Sequence, residues 1–192
     1  MAIKDYGPIV TWDLKGSFSK ESSQNFVDTY MKPYLRVAKN CTNSASDDCD
    51  YNVRYLNGDT PEDGYDFDDD NPVKFVLADG SMLNVQVENW LDTGDDLFAT
   101  VLVDINGHKK PNVYGKDVFV LRYQLIHNGA SSGQVRFPGN VTNATTGNTS
   151  NFYCNKASDG RGCGRLILQN GWKIPTKEQF VGWGGSPDKY PW

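Results

Sequence analysis

Between residues 19 and 39 the apolar side chains Phe26, Tyr30, Met31, Leu35 and Ala38 recur at helical spacing. With 3.6 residues to a turn, they fall on one stripe. The pattern predicts a helix over 17–40. Ser19 or Ser22 is suited to cap its start. Pro33 should kink it or begin a second short helix. Before it, residues 1–16 hold Pro8 and Gly16 around a short apolar run, Ile9 to Trp12, and read as an extended arm.

After Cys49 no helical pattern is legible. Short apolar runs set between turn residues predict strands at 52–56, 73–77, 82–87, 98–103, 117–125, 134–137 and 165–169. Ala78-Asp79-Gly80-Ser81 joins two of them, and its Asp-Gly suits a type I′ hairpin turn. Residues 58–71 carry seven Asp/Glu and read as a solvated loop. Residues 139–151, rich in Asn, Thr and Gly, read as another. The end, 182–192, is loop-like but aromatic. One helix followed by antiparallel strands is an α+β layout, in which the helix must lay its stripe on a sheet face. The 192 residues suit one domain. Its parts would be the arm, the helix, a β-sheet region over 41–175 and a tail over 176–192.

Composition agrees. Nineteen Gly and nine Pro imply many turns. Charge is mildly acidic, 24 Asp+Glu against 19 Lys+Arg. That gives no basic face for nucleic acid or for an anionic membrane surface. No run approaches the roughly 20 apolar residues of a membrane helix, and no signal peptide is visible.

Four cysteines fall in two close pairs, Cys41 with Cys49 and Cys154 with Cys163. Three connectivities are open. Neighbour pairing is simplest and closes loops of about nine or ten residues. A zinc site is the rival, but these spacings are wider than the usual zinc knuckle. Disulfides imply an oxidising compartment, so the expectation is an exported chain whose targeting segment lies outside these residues. Four Asn-x-Ser/Thr sequons, at Asn40, Asn140, Asn143 and Asn148, agree with export but arise easily by chance.

The most informative run is residues 102–119, LVDINGHKKPNVYGKDVF. A strand ends in Asp104-Ile105-Asn106-Gly107, a loop carries Pro111-Asn112 and Gly115, and a strand begins at Asp117-Val118-Phe119. This resembles a signature of bacterial pilin-like proteins with a prepilin-type N-terminal methylation segment, the type IV pilin and pseudopilin group. Leu77-Ala78-Asp79-Gly80-Ser81 resembles their preceding hairpin, and the run from Cys163 to Ile174 resembles their C-terminal strand and turn. The helix ending near Cys41 fits the lower half of their stalk helix. The hallmark processing site and apolar half-helix are absent from these residues, and the tail after Ile174 is longer than the resemblance leads one to expect. The resemblance implies a pilin-like α+β head. It also implies a structural subunit of an extracellular filament, other pilin subunits as partners, and an inner-membrane anchor before assembly.

Asp104, Asn106, Asn112 and Asp117 set oxygen donors around one loop. The plainer reading is that the two aspartates bond local backbone amides and fix the turn. The second reading is calcium, which takes oxygen ligands. An EF-hand fails, because its fifth position would be His108 and its twelfth Gly115, and Lys109 and Lys110 oppose a cation. No other cofactor is expected.

Catalytic patterns are poor. Gly129-Ala130-Ser131-Ser132-Gly133 matches G-x-S-x-G, but both histidines, His108 and His127, precede the serine, against the hydrolase order. The carboxylates of 62–70 and 92–96 read as exposed, hence not poised for acid–base work. The expectation is a non-enzyme. Trp12, Trp90, Trp172, Trp183 and Trp192 leave a secreted adhesin or carbohydrate-binding module as the alternative. Trp90 and Trp172 are expected in the core, and the two later ones on the surface or against a neighbour.

Overall fold

A computed structural model describes residues 5, 19–41, 49–61, 72–89, 97–127, 130–136 and 153–192. The rest of the arm, residues 62–71, the 139–151 loop, Trp12 and Trp90 lie outside the described residues.

The stripe does form a helix. α1 spans Lys20–Phe26. Ser19, in extended conformation, caps it by accepting the Ser22 amide at 3.0 Å. The helix then widens to a π turn over Val27–Met31 and tightens to a 3-10 turn over Lys32–Tyr34. Pro33 explains the change of pitch: it has no amide hydrogen, and its ring crowds the preceding turn. By Leu35 the backbone is extended. The expected helix over 17–40 is therefore too long at its end. Residues Val37–Asn40 are strand β1, with Ala38 exposed.

Five further strands follow: β2 Val73–Leu77, β3 Met82–Asn89, β4 Leu97–Asp104, β5 Val118–His127 and β6 Ala130–Arg136. They form one antiparallel sheet in chain order, a meander. The class is α+β. The β2–β3 connection differs in type from the expected I′ turn. Only Gly80 there has positive φ, 89°, and its amide bonds back to Leu77 O at 3.0 Å. That is a three-residue connection with glycine in the left-handed place.

Alternation puts opposite sets of side chains on the two faces. Val73, Phe75, Leu83, Val85, Val87, Ala99 and Val101 face α1 and its π turn, whose Phe26, Val27 and Tyr30 pack on them. β2 ends its pairing at Val73 opposite Val85. Beyond it the Val87 amide donates to Ser23 Oγ at 3.0 Å, so α1 completes the ladder where β2 stops. The other face holds Met82, Leu102, Val118 and Val120 beneath Cys49, Val53 and Tyr114.

Two expectations after Cys49 are overturned. Residues 52–56 are not a strand; they make one isolated bridge, Arg54 with Val113. Residues 165–169 are helical, in α2, Cys163–Gln169. A short apolar run such as Leu166-Ile167-Leu168 cannot be assigned by period alone. α3, Lys177–Gly182, was unforeseen, though Thr176 and Gln179 make a capping box at its start. Leu166 and Phe180 form a third cluster with Cys154 and Cys163, and Tyr190 and Trp192 pack against it, so the tail is not a free loop. Among the described residues no helix is long and apolar enough to cross a membrane.

Candidate functional site

The connection between β4 and β5, residues 105–117, is where separate parts of the chain meet. Asp104 closes β4 and is fully buried; Asp117 precedes β5 and is nearly so. Asp117 Oδ1 accepts the Val113 amide at 2.7 Å, and Oδ2 accepts the Asn112 amide at 2.8 Å. The Asn106 side-chain amide reaches the same Oδ2 at 3.4 Å. Asp104 Oδ1 accepts the Asn106 amide at 3.0 Å, and its Oδ2 accepts the Tyr51 hydroxyl at 2.6 Å. The local amide bonds of the plainer reading are thus present. Between these anchors Lys110–Pro111 is cis and Asn112 is left-handed, with φ 51°.

The corner is fastened on three sides. The 50–57 segment crosses it: Arg54 N donates to Asn112 O at 3.0 Å, and Tyr114 N donates to Arg54 O at 2.9 Å. The Cys154–Cys163 bridge lies against Gly115, where a Cβ would stand 2.4 Å from Cys163 Sγ. The terminal Trp192 donates its indole N–H to Gly115 O at 2.6 Å. His108 packs against Tyr51 with ring centroids 4.5 Å apart and the rings tilted by 53°.

Burial pushes the Asp104 carboxyl above its ordinary range. The Tyr51 hydroxyl and the Asn106 amide pull it the other way, and nearby Asp117 adds to the rise. Burial, then the bond to Asp104, push the Tyr51 phenol far above its ordinary value. Among the described residues no Lys or Arg forms an ion pair with either aspartate; the buried pairs lie elsewhere, Lys74–Asp50 and Arg161–Asp159.

All four oxygen-bearing residues named from the sequence, Asp104, Asn106, Asn112 and Asp117, come together here. The cysteines pair as neighbours, Cys41–Cys49 and Cys154–Cys163, and no described cysteine is free. Tyr51 was missed: it lies 53 residues from Asp104, and no local pattern marks such a contact. Ser131 lies within β6, not at a strand-to-helix elbow.

Residues 1–178 match a family of unknown function, DUF6613. The chain belongs to that family. No curated protein and no solved structure matches it. The DUF6613 match takes in all six strands, the corner and both disulfides, and stops within α3. The chain's last aromatic residues, Trp183, Tyr190 and Trp192, fall beyond it, although they pack on the third cluster. Trp172 departs from its expected place in the core: it is 66% exposed, at φ 65°.

Proposed function

We propose that this chain is the disulfide-hardened outer domain of a structural, non-catalytic subunit of an extracellular filament, of the type IV pilus or secretion-pseudopilus kind. The observation that carries the reading is the run 104–119. Its Asp-x-Asn-Gly, Pro-Asn and Gly-x-Asp-Val-Phe pieces join two neighbouring strands of one sheet, β4 and β5, as in the resembling proteins. The Leu77–Ser81 connection between β2 and β3 supports it. So do two disulfides, which suit an oxidising compartment.

The described helix changes how an anchor would join. Ser19 is an N-cap, so α1 does not run on as a continuous stalk. A membrane segment upstream would connect through residues 1–18, and subunits would assemble through that segment. Immunogold electron microscopy of producing cells tests the reading. Label along surface filaments is expected; label confined to the cytoplasm would overturn it.

One observation favours a second reading, a secreted adhesin or carbohydrate-binding domain. Trp172 and Ile174 are exposed on the same loop, 66% and 55%, and an exposed indole is a sugar-stacking surface. Binding on a glycan array that disappears in Trp172→Ala would favour it.

A further inference from the structure

We propose that the β4–β5 corner is a calcium site, with Asp104 and Asp117 as its charged ligands and the side-chain oxygens of Asn106 and Asn112 as its neutral ones. The inference is independent of the filament reading.

Hydrogen bonds within the corner account for its backbone but not for its side chains. Asn106 Oδ1 and Asn112 Oδ1 are both buried, and no protein group donates to either. Asn112 is only 9% exposed. A buried amide oxygen without a donor costs about 1–3 kcal/mol, and two in one corner ask for a common partner. Both residues are tethered to the same atom, Asp117 Oδ2: Asn112 by its backbone amide and Asn106 by its side-chain nitrogen. The Asn106 contact is long, 3.4 Å.

Charge points the same way. Two carboxylates are buried within one turn, and among the described residues neither has a cationic partner. Buried charges are ordinarily paired or bound to a metal. One divalent cation neutralises both. Asp104 Oδ1 accepts the Asn106 amide, Asp104 Oδ2 the Tyr51 hydroxyl and Asp117 Oδ1 the Val113 amide, and a carboxylate oxygen has lone pairs for more.

An all-oxygen donor set selects a hard cation and excludes the nitrogen and sulfur sites of zinc. Among the described residues no three His, Cys, Asp or Glu side chains converge. With two carboxylates and two amides, backbone carbonyls and water must fill the remaining places of the roughly six to eight that calcium accepts. Such a mixed, irregular set suits calcium better than magnesium, which demands a near-ideal octahedron. Lys109 and Lys110, exposed on the same loop, weaken affinity. The site therefore belongs with extracellular modules, at a Kd of about 0.1–1 mM.

The test uses the full chain, freed of metal by chelator, with CaCl2 alone as the probe. A calcium concentration of about 10 mM should raise the melting temperature by about 3–10 °C, and the same concentration of MgCl2 should do less. Tyr51, bonded to Asp104, should sensitise terbium emission that calcium displaces. Asn106→Ala keeps its backbone bond to Asp104 and should fold, as circular dichroism checks, yet bind calcium at least about tenfold more weakly. Equal shifts with calcium, magnesium and matched NaCl would mean screening of the net charge and would overturn the proposal. So would the absence of any shift, or unchanged binding in Asn106→Ala.

Discussion

Asp117 holds the Val113 amide at 2.7 Å from four residues further along the chain, and with its other oxygen it holds Asn112. One buried side chain thus sets the backbone that Arg54, Cys163 and Trp192 approach. Replacing it by Ala strands two amides and should lower stability by about 3 kcal/mol, since bonds to charged groups are worth about 1.5–3 kcal/mol each. Asp117→Asn retains an acceptor and should lose less. Urea unfolding measures both; a loss under about 0.5 kcal/mol for the Ala variant would show that the corner is held by other contacts.

Gly115 marks where the corner meets the second disulfide. Its φ is +80°, and an added Cβ would lie 2.4 Å from Cys163 Sγ and 3.2 Å from Gly160 O. Neither a bridged sulfur nor backbone yields easily. Gly115→Ala should cost at least about 2 kcal/mol from strain and displacement together. Thermal unfolding would show it. Gly58→Ala is the control for backbone strain alone, because Gly58 also has positive φ but meets nothing within 4 Å.

Each disulfide closes a short loop, at sequence separations of 8 and 9. On the chain-entropy account each should contribute about 2.5 kcal/mol. The structure separates them. Cys154 and Cys163 are fully buried in the third cluster, whereas Cys41 is only half-buried. The double Ala variant at 154 and 163 should therefore lose more than the one at 41 and 49. Equal losses in denaturant unfolding would mean that packing around the inner bridge adds nothing.

The Tyr51 phenol is held protonated by burial and by Asp104; burial also raises Tyr123. In the unfolded chain a tyrosine ionises near pH 10. Below that value both states keep the proton, and Tyr51 gives stability no slope. Above it only the unfolded state ionises, so stability falls as pH rises. Alkaline titration of tyrosinate absorbance should show late, unfolding-linked ionisation. Tyr51→Phe should flatten the alkaline decline while costing about 1–2 kcal/mol at neutral pH through the lost bond. An unchanged alkaline slope would count against this role.

The sheet was largely legible. Strand periodicity located 73–77, 82–87 and 98–103 to within a few residues of β2, β3 and β4, because buried alternation leaves a local trace. The corner was legible as a set of oxygen-bearing residues, since its turn chemistry is also local. What escaped depends on distant parts of the chain. Val37–Asn40 pairs with β2, and that ladder overrides the helical spacing of Leu35 and Ala38. Leu166-Ile167-Leu168 reads equally as strand or helix, and the Asn170-Gly171 that follows was the stop signal. Trp172 looked like core by type, but it sits just past that stop and points its surface to solvent. Tyr51 needed the fold itself to bring it to Asp104.

We propose that the chain is an exported, disulfide-bonded filament subunit. Shearing the surface appendages from producing cells, then digesting them without reductant for mass spectrometry, tests it most directly. Peptides of this chain are expected in the sheared filament fraction, with Cys41 cross-linked to Cys49 and Cys154 to Cys163. Recovery of the chain only from the cytoplasm, with all four thiols free, would contradict it.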